Sequence, residues 1–316
     1  AAPTIAAALA AAEAADTDIE RFYAAIAAGY DVACTVGELV GPNAHYARGF
    51  HITATCGTFG AVAAAGVASG LAELSDKTGM PIEGARLWCG FAGGRSPHRQ
   101  AEFRAANPVG ASEISIVTDG FAALVGAHDG RPGIVLAVGT GVAAYALSAQ
   151  GAVASSSAWG YKIGDEGSGG WLGNRAVALL ARHLDGRHPM GSALFDALRE
   201  EVGSDFNTIQ VWLAQADATR FASLAPRVIE AAEAGDAVAR NLLETAGTEL
   251  SCAVRAIDSG QPLAVLGGLS NVMTPRLAAD LRARVVPARG NALDGLRIMA
   301  ANNWRTEEGL PTGSGP

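Results

Sequence analysis

Three short turns that contain glycine follow apolar runs, and each has residues that could meet a phosphate group. They are Asp119-Gly120, Gly139-Thr140-Gly141 and Gly267-Gly268. Glycine lets the backbone approach a ligand closely and adopt a positive φ angle, and amides exposed in such a turn bind anions. One pair of glycines is most simply a tight turn, but three such turns in one chain favour a phosphate-binding site.

Asp119 is a candidate for acid–base chemistry. It follows an apolar run at residues 114–118 and precedes a run typical of a helix. A carboxylate at the carboxyl end of a strand faces the crevice in which α/β proteins bind ligands, where it could accept a proton from an attacking hydroxyl group. The spacing alone favours a different interpretation, an N-cap of the following helix, because aspartate is a preferred cap residue.

Two adjacent carboxylates, Asp165 and Glu166, lie in a segment rich in glycine at residues 159–169. The simplest explanation is a helix start, where acidic residues meet the positive end of the helix dipole. The glycine content favours instead a loop that presents Asp165 to sugar hydroxyl groups or to hydrated Mg²⁺.

The elements that must position these residues alternate between strand and helix from about residue 80 onward. Apolar runs predict strands at residues 85–91, 114–118, 133–138, 142–147 and 262–266. Apolar spacing predicts helices at residues 120–127, 167–184, 291–301 and over most of 192–257. Gly139-Thr140-Gly141 joins two of the strands and predicts a hairpin. This alternation indicates an α/β fold, whereas residues 1–66 predict mainly helix.

Composition excludes several classes of function. The net charge is −8 and no basic stripe is visible, so nucleic acid is not an expected partner. The four cysteines are scattered without a C-x-x-C pair, which is typical of reduced intracellular thiols rather than a zinc site. No apolar run is long enough for a membrane span, and the predicted location is the cytoplasm.

Three runs resemble, in order and spacing, the BadF/BadG/BcrA/BcrD ATPase family, and within it the bacterial N-acetylglucosamine and glucosamine kinases. The runs are residues 117–124, 133–141 and 159–169, with further similarity at 86–93, 266–270 and 291–295. The resemblance covers roughly residues 67–302. It implies the bilobal, actin-like ATPase fold of the sugar kinase, chaperone and actin superfamily, with ATP and Mg²⁺ as cofactors and a homodimer as the expected assembly.

The resemblance also implies a role for each candidate residue. Asp119 matches the catalytic base for the 6-hydroxyl group of the sugar. The phosphate-binding residues implied are Gly139, Thr140 and Gly141, and those beneath the adenosine are Gly267 and Gly268. The sugar-binding residues implied are Asp119, Trp159, Gly160, Asp165 and Ser168. No residue is assigned as a metal ligand.

One motif of the family has no counterpart in these 316 residues. Its first phosphate-binding loop reads Asp-Gly-Gly-Gly-Thr, and no Asp-x-Gly-x-Thr string occurs here. Residues 20–66 instead resemble the helical domain of the MmgE/PrpD family, through residues 27–33 and 45–61. The predicted organisation is therefore a helical MmgE/PrpD-like appendage at residues 1–66, a kinase-like ATPase domain with an incomplete amino-terminal lobe at 67–302, and a loose tail at 303–316.

The function implied is ATP-dependent phosphorylation of an amino sugar, glucosamine or N-acetylglucosamine. One alternative is a catalytically impaired module that binds sugar or nucleotide without the first phosphate loop. A second is an ATPase that activates a dehydratase, which needs cysteines that bridge an iron–sulfur cluster, and no suitable pair is evident. A third is a lyase of the MmgE/PrpD type, of which little is present. ADP release that depends on sugar separates the kinase from all three.

Overall fold

The computed structural model describes residues 86–91, 94–106, 112–188, 190–305 and 307. The chain divides into two compact units, residues 1–87 with 101–114 and residues 88–100 with 115–316. Every candidate site residue belongs to the second unit. The helices predicted for residues 1–66 lie outside the described residues.

The described chain mixes strands and helices, as the sequence predicts, with a run of helices from Gly169 to Arg255 between the fifth and sixth strands. The strands are β1 (Arg86–Gly90), β2 (Glu113–Val117), β3 (Gly133–Val138), β4 (Val142–Leu147), β5 (Val153–Ser157) and β6 (Leu263–Leu266). The helices are α1 (Pro97–Ala106), α2 (Asp119–Ala127), α3 (Gly169–Leu184), α4 (Ala193–Val202), α5 (Phe206–Leu213), α6 (Ala218–Ala222), α7 (Ala225–Glu233), α8 (Ala237–Arg255), α9 (Ser270–Met273), α10 (Ala279–Arg282) and α11 (Ala292–Ala301), with a 3₁₀ turn at Thr274–Arg276. Within these ranges, no helix has the length and apolar character that a membrane span requires.

The central sheet has four strands in the order β5-β4-β3-β6. Strands β3 and β4 pair antiparallel with Val138 opposite Val142, which confirms the hairpin predicted at residues 139–141. Strand β6 lies parallel to β3, so the carboxyl ends of these two strands reach the same edge of the sheet. The turn at residues 139–141 and the turn at residues 267–268 therefore follow neighbouring strands.

Helices cover both faces of this sheet. Alternate side chains of β3 point to opposite faces and belong to two different apolar clusters. Ile134 and Leu136 join the larger cluster, to which α3–α8 contribute. Val135 joins the smaller cluster with Phe121 of α2 and Met299 of α11. A strand buried on both faces is apolar along its whole length, which is why β3 is visible in the sequence as an unbroken apolar run.

Strand β5 was not predicted. Its sequence, Val-Ala-Ser-Ser-Ser, has three serines and no apolar alternation, and most of its residues are only half-buried. It pairs antiparallel with β4 at the edge of the sheet. An edge strand contacts a neighbour on one side, so backbone hydrogen bonds to β4 define it more than side-chain burial does.

The chain after α11 turns back onto α2. Trp304 is buried, and its ring meets that of Phe121 edge-on with the centroids 5.6 Å apart. The indole nitrogen of Trp88 donates a hydrogen bond of 2.9 Å to the carbonyl oxygen of Trp304. The described part of this stretch is therefore packed against the smaller cluster, and residue 306 and residues 308–316 lie outside the described chain.

Candidate functional site

Asp119 is the first residue of α2 and not its cap. The N-cap is Thr118, which has an extended backbone and whose side chain accepts a hydrogen bond of 3.2 Å from the amide of Phe121. The N-cap interpretation of Asp119 is therefore wrong. Two residues suited to capping are adjacent in the sequence, and the first of them takes the extended conformation that a cap requires. The Asp119 side chain is left exposed, with Oδ1 accepting from the amide of Gly120 at 2.9 Å.

Tyr145 of β4 lies directly against the start of α2. A Cβ atom on Gly120 would come within 2.4 Å of Cε2 of Tyr145, so the aromatic ring occupies the space that any other residue would need. A hydrogen bond joins the hydroxyl group of Tyr145 to the side chain of Thr118. Burial raises the pKa of the Tyr145 hydroxyl, and the carboxylates of Glu307 and Asp119 raise it further. The phenol therefore stays neutral beside the exposed Asp119.

The two turns at the edge of the sheet have open space beside them. The amide of Gly139 donates to the carbonyl oxygen of Gly141 at 3.0 Å and closes the hairpin turn, and Thr140 at its tip is exposed. A Cβ atom on Gly139 or on Gly268 would meet nothing within 4 Å. Backbone that is open on the ligand side and has no side chain in the way is the arrangement that phosphate groups require.

The first residues of α3 form hydrogen bonds to the hairpin turn. The amide of Gly169 donates to the carbonyl oxygen of Gly139 at 2.8 Å, and that of Gly170 to the carbonyl oxygen of Thr140 at 3.0 Å. The first amides of a helix have no partner within the helix and commonly bind anions. Here these two amides bind the hairpin, so this helix start fixes the conformation of the turn.

Ser168 is the N-cap of α3. Its Oγ accepts from the amide of Trp171 at 3.0 Å, and its carbonyl oxygen accepts from the amide of Leu172 at 2.9 Å. The side chain is fully buried. The position of Ser168 in the structure is that of a helix cap, and its contact with sugar stays a prediction.

Asp165 is buried behind the hairpin, with φ at 58°. Its carboxylate accepts hydrogen bonds from the backbone amides of Val142 and Gly160. A Cβ atom on Gly141 would lie 2.8 Å from its Oδ2. Asp165 thus joins the segment of residues 159–169 to the first residue of β4, and burial raises the pKa of its carboxyl group.

The segment before Asp165 presents apolar side chains to solvent. Trp159 and Ile163 are each 76% exposed, and they flank a turn that Gly160 enters with φ at 84°. The amides of Ile163 and Gly164 both donate to the carbonyl oxygen of Gly160. Large apolar side chains held out from a turn are available to pack against a ligand, and the sugar contacts of Trp159 and Gly160 stay predictions.

The pKa of Asp165 leads to a prediction about stability. Burial raises that pKa in the folded state, so between the ordinary value near 3.8 and the folded value the native protein binds more protons than the unfolded chain. Stability then falls as pH rises through this window. We expect that Asp165→Asn, which cannot ionise, removes this part of the decline. Chemical denaturation of both proteins from pH 4 to pH 7 measures it, and a difference between them that is constant with pH would contradict it.

The sequence does not reveal three residues that lie near the start of α2. Tyr145 lies inside a predicted strand, Arg95 follows a glycine turn, and Glu307 lies in the predicted tail. The charges of Arg95 and Glu307 act on the hydroxyl group of Tyr145, as does that of Asp119. Over the part of the chain that the structure describes, there is no group of three or more His, Cys, Asp or Glu side chains that could hold a metal ion.

The described sheet carries helices on both faces and a glycine turn that the start of α3 holds by hydrogen bonds. This mixed α/β architecture agrees with the actin-like ATPase fold of the similar solved structures and of the family whose profile matches the chain. The sequence profile of the BadF/BadG/BcrA/BcrD ATPase family matches residues 52–265. The chain belongs to this family, which implies the use of ATP. The profile of the MmgE/PrpD N-terminal domain matches residues 1–75, which confirms the resemblance found in that segment.

Several known proteins are similar to this chain. A solved structure of a protein from Chromobacterium violaceum, provisionally assigned as an N-acetylglucosamine kinase, has 36% identity and a TM-score of 0.65. The similarity covers 71% of this chain and 80% of the chain from Chromobacterium violaceum. The N-acetylmuramic acid/N-acetylglucosamine kinase of Clostridium acetobutylicum is 31% identical over 46% of this chain. The glucosamine kinase of Vibrio cholerae is 23% identical over 60% of this chain. The chain spans 48% and 64% of the lengths of these two curated relatives.

Proposed function

We propose that this protein transfers the γ-phosphoryl group of ATP to the 6-hydroxyl group of an amino sugar. The observation that carries the proposal is the exposed carboxylate of Asp119, at the carboxyl end of β2 and beside Tyr145, which is free of any capping role. The similar proteins described as kinases of N-acetylglucosamine, N-acetylmuramic acid and glucosamine support the substrate class. An impaired binding module is the weaker alternative, because these relatives are named for a catalytic activity.

Asp119 would act as the general base. Its carboxylate accepts the proton of the 6-hydroxyl group as that oxygen attacks the γ-phosphorus, the new oxygen–phosphorus bond forms, and the bond to the β–γ bridging oxygen breaks. ADP leaves with the electron pair of that bond. In such transfers most of the rate acceleration comes from positioning and from stabilising charge on the phosphoryl oxygens.

The edge formed by the turns after β3 and β6 would hold the nucleotide. Gly139, Thr140 and Gly141 are proposed to contact the β- and γ-phosphates, and Gly267 and Gly268 to lie beneath the adenosine. The open space beside Gly139 and Gly268 fits this assignment. Mg²⁺, when bound to ATP, would neutralise phosphate charge. The described part of the chain offers no cluster of metal ligands, so we assign no protein ligand to Mg²⁺.

Sugar recognition is proposed to involve Asp119, Trp159, Gly160, Asp165 and Ser168. Asp165 and Ser168 are buried behind the hairpin, so in this arrangement they shape the segment that carries Trp159. We further propose that residues 67–302 form the kinase domain. In this organisation residues 1–66 are an appendage related to the MmgE/PrpD family, and residues 303–316 form a tail. The protein is also proposed to act in the cytoplasm as a homodimer.

The test is ADP release from MgATP with glucosamine, with N-acetylglucosamine, with N-acetylmuramic acid and without sugar. We expect one or more amino sugars to stimulate release well above the rate without sugar, and the product to carry phosphate on the oxygen of carbon 6. ADP release that is equal with and without sugar, from folded protein, would favour the ATPase alternative. No release at all would favour the binding module.

A further inference from the structure

Two charged side chains from distant parts of the chain meet at the residue just before Asp119. Oε1 of Glu307 accepts a hydrogen bond of 2.6 Å from the backbone amide of Thr118. Its other oxygen, Oε2, pairs with the guanidinium of Arg95 at 3.3 Å. The Glu307 side chain is 15% exposed and that of Arg95 is 59% exposed. Glu307 is thus a largely buried carboxylate with both oxygens engaged, 189 residues along the chain from the amide that it binds.

Arg95 extends this contact to the central sheet. Its Nη1 donates a hydrogen bond of 2.9 Å to Oγ of Ser155 in β5. The centre of its guanidinium lies 5.7 Å from the centroid of the Tyr145 ring in β4. Tyr145 and Ser155 are direct partners across the two strands. Arg95 therefore connects one point of the sheet to the carboxylate that holds the end of β2.

We propose that Glu307 and Arg95 are positioning residues that fix the carboxylate of Asp119 relative to the sheet that carries the phosphate-binding turn. The role rests on the proposed function, since it takes Asp119 as the base. Without Glu307, Gly120 of α2 still packs on Tyr145, but the amide of Thr118, between β2 and α2, loses its hydrogen bond. Small displacements of a catalytic group lower rates steeply, by about a hundredfold for a shift near 1 Å.

An alternative explanation is that Glu307 only tethers the end of the chain. Trp304 already docks this stretch onto Phe121 and Trp88, so tethering alone does not require a carboxylate at residue 307. A purely tethering contact would affect stability and leave turnover unchanged. A positioning contact would lower kcat while the affinity for the nucleotide, which binds at another edge, stays the same.

The first arm of the test is independent of activity. Hydrogen–deuterium exchange is followed in a peptide that covers residues 113–121 of the full-length chain, in the wild type, Glu307→Ala and Glu307→Gln. We expect Glu307→Ala to lose protection at the amide of Thr118, and Glu307→Gln to retain most of it, because the amide oxygen of glutamine still accepts a hydrogen bond. The matched control is Glu201→Ala, which removes an exposed ion pair with Arg227 of 2.9 Å far along the chain.

The second arm is the kinetics of ADP release with the amino sugar. We expect Glu307→Ala to lower kcat by about tenfold to a hundredfold, with KM for MgATP changed less than about twofold, and Glu307→Gln to recover most of the loss. Arg95→Met is expected to have a smaller effect, because the bond from Thr118 to Glu307 remains. Glu201→Ala is expected to match the wild type.

The outcomes separate the two proposals. Lost protection in Glu307→Ala with wild-type kcat would show a tether and overturn the positioning role. Unchanged protection would show that the contact does not hold Thr118. A wild type that releases no ADP in response to sugar would overturn the proposed function and the positioning role with it, while the exchange data would still decide whether Glu307 binds the Thr118 amide.

Discussion

Replacing Asp119 with asparagine is expected to lower kcat for sugar-dependent ADP release by about a thousandfold, within the range found for removal of a general base. Asparagine has nearly the same shape but cannot take the proton of the 6-hydroxyl group. Since the nucleotide is proposed to bind at the edge formed by the turns after β3 and β6, KM for MgATP is expected to change little. Steady-state kinetics with saturating amino sugar measures both values.

The position of Asp119 makes this substitution a clean test. Thr118 caps α2, and the Asp119 carboxylate is exposed and accepts a hydrogen bond from the amide of Gly120. Asparagine is therefore expected to leave the free energy of unfolding within about 0.5 kcal/mol of the wild type. The matched control is Thr118→Ala, which removes the cap and is expected to cost about 1 kcal/mol of stability. If Asp119→Asn kept more than about a tenth of the wild-type kcat, another residue would have to be the base.

The parts of the fold that the sequence predicts well are those in which local chemistry and burial agree. Strands β3 and β4 have the predicted bounds, because each is an apolar run buried on both faces and Gly139-Thr140-Gly141 separates them. The helices between residues 192 and 257 were likewise visible from their apolar spacing, although the breaks between α4 and α8 were not. A pattern of this kind reports how an element is buried but not which element buries it.

The neighbours of a strand depend on contacts over long distances in the sequence. Strand β6 pairs with β3 although about 125 residues separate them along the chain, and nothing local in either strand specifies that partner. The same limit hid the contact of Glu307 with the amide of Thr118. Of the three glycine-containing turns noted in the sequence, Asp119-Gly120 begins α2, and only the structure shows that the other two follow adjacent strands.

Local rules also fail where two neighbouring residues suit the same position. Thr118 and Asp119 are both good caps, and the sequence does not say which of them adopts the extended backbone. In the segment of residues 159–169, the sequence does not show that the Asp165 side chain is buried. Its carboxylate accepts hydrogen bonds from the amides of Val142 and Gly160, because the closed end of the hairpin leaves backbone donors that a buried carboxylate can satisfy. Its contact with a ligand stays a prediction.

The turn after β6 gives a second large effect, with a control in the adjacent residue. Gly267 has φ at 95°, and a Cβ atom there would lie 2.3 Å from the carbonyl oxygen of Val138. Gly267→Ala is therefore expected to lower the free energy of unfolding by about 2–4 kcal/mol, from backbone strain and overpacking together. Gly268 faces open space, so Gly268→Ala is expected to change stability by less than about 0.5 kcal/mol.

The same pair of variants tests where the adenosine lies. If it rests on this turn, the methyl group of Gly268→Ala occupies the space that the nucleotide needs, and the affinity for ATP is expected to fall about tenfold, which corresponds to about 1.4 kcal/mol. Calorimetric titration of ATP into the folded variant measures this, and chemical denaturation measures both stabilities. Wild-type affinity in Gly268→Ala would contradict the location of the adenosine on this turn. Wild-type stability in Gly267→Ala would mean that the backbone between β6 and α9 rearranges to accommodate the methyl group. Lower ATP affinity with wild-type stability in Gly268→Ala would separate contact with the ligand from strain in the fold, because the open space beside Gly268 gives the added methyl group no protein atom to displace.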